Sequence, residues 1–136
     1  MSWRQGLRQR AGQGIPELLE VDALLQASSV LAALPGARIA PGLVRFKLAA
    51  RTCEGVQRQG LAWLSGARQG RGLLAGRVPR YRAWQTGSAA LTEIGIAGLP
   101  ADWPAHAPVY GCSSVDRRHW LLLLPGSAQL WLGWTA

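Results

Sequence analysis

Ten cations crowd the middle of this chain, and their chemistry is that of anion recognition. Residues 38–82 hold Arg38, Arg45, Lys47, Arg51, Arg58, Arg68, Arg71, Arg77, Arg80 and Arg82 against Glu54 alone, a local charge of +9. Residues 1–37 sum to zero and residues 83–136 to −1, so the middle accounts for the whole net charge of +8. A guanidinium is a planar fork that grips phosphate or carboxylate oxygens in pairs. Several forks held at fixed spacing set a register along a phosphate backbone. A surplus confined to one stretch is the footprint of an acidic partner. The candidate contacts are Arg45, Lys47, Arg51, Arg58, Arg71, Arg77, Arg80 and Arg82, with Tyr81 and Trp84 as platforms on which bases would stack. The plainer alternative is a solvated, arginine-rich surface on an ordinary β domain.

A second group is Cys112, Asp116 and His119 in "GCSSVDRRHW", with His106 nearby. A thiol beside an imidazole makes a nucleophile–base pair. Such pairs meet through the fold more than through sequence proximity, and Cys112 before two serines reads as a small buried strand residue. Two histidines and seven carboxylates leave little material for acid–base or metal chemistry. No Cys/His spacing suits zinc, and no glycine pattern makes a phosphate loop. The expectation is a non-enzymatic protein with no catalytic residue, metal or cofactor. Whether Cys53 and Cys112 pair is left open.

The elements that must position these side chains follow from pattern. A length of 136 residues suits a single domain, and 49% hydrophobic against 16% charged residues provides a core. Seventeen glycines and eight prolines predict many turns and short strands. Residues 1–14 read as a basic N-terminal arm. Residues 15–34 read as a helix, with Pro16 in its first turn, Leu18, Val21 and Leu25 on one side, and Pro35-Gly36 as its stop. Residues 43–136 form the β-rich body.

Within that body, Val44, Phe46 and Leu48 alternate with Arg45 and Lys47. A turn at "TCEG" would fold residues 43–64 into a hairpin with every cation on one side. "RGLLAGRV" would extend the basic face to a third strand, and "RYRAW" begins another. "SAALTEIGIAGL" leans to strand, "PADWPAHAP" to loop and "PVYGCSSV" to strand. "HWLLLL" and "AQLWLGW" form a C-terminal hairpin whose first strand, apolar on both faces, belongs in the middle of a sheet.

The expected fold is therefore mainly β (α+β), an N-terminal helix packed on an antiparallel sheet or partly open barrel of six to eight short strands. The leading function is a nucleic-acid-binding module using an arginine-rich sheet face. A rival is a structural subunit of a larger assembly, such as a phage connector or a pilus or secretion component, whose basic face meets an acidic protein surface. There Trp131 and Trp134, on a terminal strand that is read either as an edge or as a core strand closing a barrel, would in the first case form an interface and a possible homo-oligomer. A small Cys-dependent enzyme is the third reading. Glu20, Asp22 and Gln26 interrupt the first apolar segment, so neither a secretory leader nor a membrane span is expected. Cytoplasmic residence is the expectation, and a virion interior would look the same.

Overall fold

The computed structural model describes residues 3–27, 42–74, 76–94 and 107–134. Its centre is one six-stranded sheet in which every pairing is antiparallel, in the order β1-β2-β6-β5-β4-β3. The strands are β1 (Val21–Ala27), β2 (Gly42–Leu48), β3 (Gln85–Thr86), β4 (Tyr110–Ser113), β5 (His119–Leu124) and β6 (Gln129–Trp134). Among the described residues four α-helices accompany them: α1 (Trp3–Gly12), α2 (Ala50–Gln59), α3 (Leu61–Leu64) and α4 (Gly87–Ile94). This is the α+β, mainly antiparallel fold that the residue patterns predict, with the sheet open rather than closed.

The middle of the sheet is buried on both sides because β5 and β6 are apolar at nearly every position. Phe46, Leu121, Leu123, Leu130 and Leu132 face one side and meet Val56 of α2, Leu64 of α3, and the connector residues Ile15 and Leu19. Leu122, Leu124 and Trp131 face the other side, where Ala90 of α4 packs. The C-terminal hairpin forms as expected, joined by a single 3-10 turn at Pro125–Ser127. Gly133 leaves no room for a Cβ under the Trp120 indole, which is why a glycine interrupts an otherwise bulky strand.

Several expected elements differ. The expected helix over 15–34 is instead a connector followed by β1, with residues 28–34 outside the described ones. β1 carries two bulges, between Val21 and Ala23 and between Leu24 and Gln26. The first brings Val21 opposite Leu48 and Leu24 opposite Phe46, so apolar residues three apart meet alternate partners on β2. That spacing imitates a helix. The expected basic arm contains α1, whose last turn inserts Ala11 into the core.

The hairpin expected over 43–64 exists only in its first strand. Val44, Phe46 and Leu48 do turn inward while Lys47 is exposed, but β2 pairs with β1 and β6. Residues 50–59 are helical because Thr52, Cys53 and Val56 fall on one face at helical spacing and bury against the sheet. "RGLLAGRV" makes a tight turn, closed by reciprocal backbone bonds between Leu74 and Arg77, in place of a strand. Residues 88–94 of the expected "SAALTEIGIAGL" strand belong to α4, with Ala90 buried and Leu91 and Ile94 packed beside it, and residues 95–99 lie outside the described ones. "PADWPAHAP" lies mostly outside the described residues.

Candidate basic binding surface

The expected continuous basic sheet face is divided by the fold into three places. On β2, Arg45 lies over the Trp131 ring at 4.1 Å from its centroid, and Lys47 follows on the same face. On α2, across the sheet, Arg51 and Arg58 point outward, and Arg51 stands 3.7 Å from a Glu20 carboxylate oxygen. The remainder belong to the segment 68–82, which crosses the end of the sheet beside β4. Arg71 donates to the carbonyls of Leu19 at 2.8 Å and Glu17 at 3.4 Å. Arg82 lies 3.4 Å from Glu93 of α4, which also accepts a bond from Ser113.

The two aromatics expected to stack bases are unavailable. Tyr81 is 2% exposed and donates its hydroxyl hydrogen to the Gly14 carbonyl at 2.6 Å. Trp84 is 5% exposed and its indole N–H donates to the Ala67 carbonyl at 2.7 Å. Both have a large apolar body and one polar handle, and the interior satisfies both parts. Trp131 and Trp134, expected on an interface edge, are 1% and 2% exposed. Their strand ends the sequence but not the sheet, since β2 and β5 flank it. The strand therefore offers no free edge to a second copy.

What the fold does assemble is a cluster of arginines on two adjoining turns. Val115 N–H donates to the Arg80 carbonyl at 2.8 Å, and Tyr81 bridges Ser114, so the segment 77–81 lies against the turn 115–118 that links β4 and β5. Arg77 and Arg80 come from the first segment, Arg117 and Arg118 from the second, and all four are exposed. Exposed Val78 and Val115 lie in a shallow groove of about 210 Å³ that Arg77, Arg80 and Asp116 complete. Leu73, 64% exposed, precedes the same turn.

Ser114 and Asp116 hold this arrangement. The Ser114 hydroxyl donates to Asp116 Oδ1 at 2.6 Å and accepts the backbone N–H groups of Arg118 at 3.1 Å and His119 at 3.0 Å. Asp116 Oδ1 also accepts Arg118 N–H, and Oδ2 meets Arg77 Nη1 at 3.2 Å. Burial would raise the Asp116 pKa, but the Ser114 hydroxyl, the Arg118 N–H and nearby positive charge outweigh it and hold the carboxyl below its usual range. Arg117 adopts φ 63°, a left-handed conformation that costs a non-glycine residue about 1 kcal/mol. Arg117 and Arg118 were not singled out from sequence because three acids mask them in the charge sum of the C-terminal third. The signal was the "DRR" run in a turn between a small-residue strand and an apolar one.

Behind the turn, His119 is buried and its Nε2 donates to the Leu74 carbonyl at 3.0 Å, tying the 74–77 turn to β5. Burial lowers its pKa below the ordinary histidine value. Cys112 sits opposite Leu121, two residues along β5 from His119. Burial pushes its thiol well above the usual cysteine range, with Glu93 adding to the shift. A buried thiol held protonated is a poor nucleophile. Cys53 and Cys112 are both free and buried. Comparison with known proteins adds no relative: no family model, no curated protein and no solved structure matches this chain.

Proposed function

We propose that the protein is a non-enzymatic nucleic-acid-binding module whose phosphate contacts come from Arg77, Arg80, Arg117 and Arg118. The observation that supports this is that all four lie on two turns joined by the Val115–Arg80 backbone hydrogen bond and the Arg77–Asp116 ion pair. Guanidiniums displayed on a braced turn lose little freedom on meeting a phosphate, and Arg77 stays oriented through Asp116. The contacts are to backbone oxygens, so binding is salt-dependent and largely indifferent to base sequence. Arg45, Lys47, Arg51 and Arg58 lie elsewhere and add long-range attraction rather than direct contacts.

Fluorescence anisotropy of labelled single- and double-stranded oligonucleotides, run at several salt concentrations, tests this reading. Binding that weakens steeply with salt, and that Arg80→Glu weakens further, agrees with it. Absence of binding at low salt would reject it.

A second reading is favoured by Val78, Val115 and Leu73, apolar side chains exposed among the same arginines. These suit a structural subunit of a larger assembly whose neighbour presents acidic and apolar residues together. Val115→Ser would then abolish docking to the neighbour, whereas a phosphate-binding surface would tolerate it. For the membrane question, no helix among the described residues is long and apolar enough to cross a bilayer.

A further inference from the structure

A cleft of about 410 Å³ opens between α1, the start of β1 and the loop after Gly70, and shares no lining residue with the groove beside the turn 115–118. Gln5, Arg8, Gln9, Gln13, Val21 and Arg71 line it, with no carboxylate among them. Its volume falls in the range of small-ligand pockets, roughly 300–1,000 Å³. The donor set is selective: two guanidiniums, three carboxamides and a single apolar side chain.

The two arginines differ from Arg51, Arg77 and Arg82 in what they touch. Arg51, Arg77 and Arg82 each lie within 4 Å of a carboxylate, at 3.7, 3.2 and 3.4 Å. Arg8 instead donates Nη2 to the Val21 carbonyl at 3.2 Å, and Arg71 donates Nη2 to the carbonyls of Leu19 and Glu17. All three carbonyls belong to residues 17–21, so one short stretch of backbone orients both guanidiniums. A carbonyl dipole fixes a guanidinium without cancelling its charge, and each fork has five donors, of which these bonds use one nitrogen. Glutamine carboxamides beside them add neutral donors and acceptors suited to hydroxyl groups.

We propose that this cleft binds a small, hydroxyl-rich organic dianion through its phosphate or carboxylate oxygens, with Arg8 and Arg71 as the charged contacts and Gln9 and Gln13 beside them. Lining by one aliphatic side chain and no aromatic argues against a planar, apolar ligand. The site is independent of the arginine cluster proposed for nucleic acid.

Nitrogen-edited NMR of the whole chain, titrated separately with inorganic phosphate, ribose 5-phosphate and succinate, tests it. The expected result is saturable shifts of the Arg8 and Arg71 Nε–H signals and the Gln9 and Gln13 carboxamides. A response to the two phosphates alone assigns the oxyanion as phosphate, and a response to succinate alone assigns it as carboxylate. Arg8→Gln should lower affinity by about tenfold or more, the loss of one charge-assisted hydrogen bond. Gln9→Glu, which leaves both arginines in place, should lower it by like-charge repulsion. The Arg117→Glu/Arg118→Glu variant should keep the response, which separates this site from the nucleic-acid surface. Shifts that fail to saturate, or that persist unchanged in Arg8→Gln and Gln9→Glu, would overturn the proposal.

Discussion

Arg77 Nη1 and Asp116 Oδ2, 39 residues apart in sequence, meet at 3.2 Å and join the two turns that carry the exposed arginines. The pair is half-exposed on the arginine side, so its own contribution to stability is small. Its larger effect is on charge and position: Asp116 orients Arg77, braces Arg118 through its backbone N–H, and subtracts one unit from the surface.

Asp116→Asn therefore has opposite effects on two measurements. Losing the charged acceptor destabilises the turn by about 1–2 kcal/mol in denaturant unfolding. Removing one negative charge from the cluster tightens oligonucleotide binding at low salt. Weaker binding would show that the carboxylate's ordering of Arg77 outweighs the charge it subtracts.

Arg117→Gly should separate the same two properties in the other direction. Glycine accepts φ 63° without strain, so relief of about 1 kcal/mol opposes the entropy that glycine adds to the unfolded chain. Thermal stability is unchanged or slightly raised, while affinity for nucleic acid falls. Arg117→Ala keeps the strain and loses the same contact, so it should match the glycine variant in affinity and fall slightly below it in stability.

His119 gives the fold an acid-side dependence. Its pKa is lowered by burial, so the unfolded chain takes up the proton near pH 6.5 while the folded one resists until lower pH. The contribution is complete above about pH 6.5. It is lost as pH falls toward the folded value, no faster than about 1.4 kcal/mol per pH unit. Urea midpoints of the wild type and His119→Gln, followed between about pH 7 and 5, should converge on the acid side. Parallel curves would show that the imidazole does not titrate differently in the two states.

Leu122→Ala tests the central hairpin. Leu122 is fully buried between Trp131 on the neighbouring strand and the α4 side of the sheet. The cavity should cost about 2–5 kcal/mol. A loss below about 0.5 kcal/mol, the scale of a surface substitution, would mark the strand as peripheral.

Where side-chain period and backbone geometry agree, the fold was legible. Val44, Phe46 and Leu48 alternate with Arg45 and Lys47 on an unbulged run of β2, and the "HWLLLL" and "AQLWLGW" runs gave a central hairpin. β1 was misread because its bulges convert a strand into apolar spacing of three. α2 was misread because "TCEG" has the composition of a turn, which put Arg51 and Arg58 on facing strands of a hairpin; seven apart, they lie two helical turns apart on one helix instead. Strand order is a long-range property. Nothing local in Trp131 or Trp134 distinguishes a terminal edge from the middle of the sheet. Arg77 and Arg80 are candidate contacts on the sequence alone, but the backbone bond from Val115 to Arg80 that brings the turn carrying Arg117 and Arg118 beside them spans 35 residues.

The central claim is that the arginines on the two turns, and not basic charge in general, hold the nucleic acid. The measurement is the slope of log affinity against log salt for wild type, for Arg117→Glu/Arg118→Glu, and for Arg51→Glu/Arg58→Glu on the far helix, which changes net charge equally. Losing two phosphate contacts at the turn should lower the slope by about 1.4 on single strands or about 1.8 on duplex, while the helix variant keeps the wild-type slope with modestly weaker binding. Equal slopes and equal losses for the two variants, with folding intact in both, would contradict it.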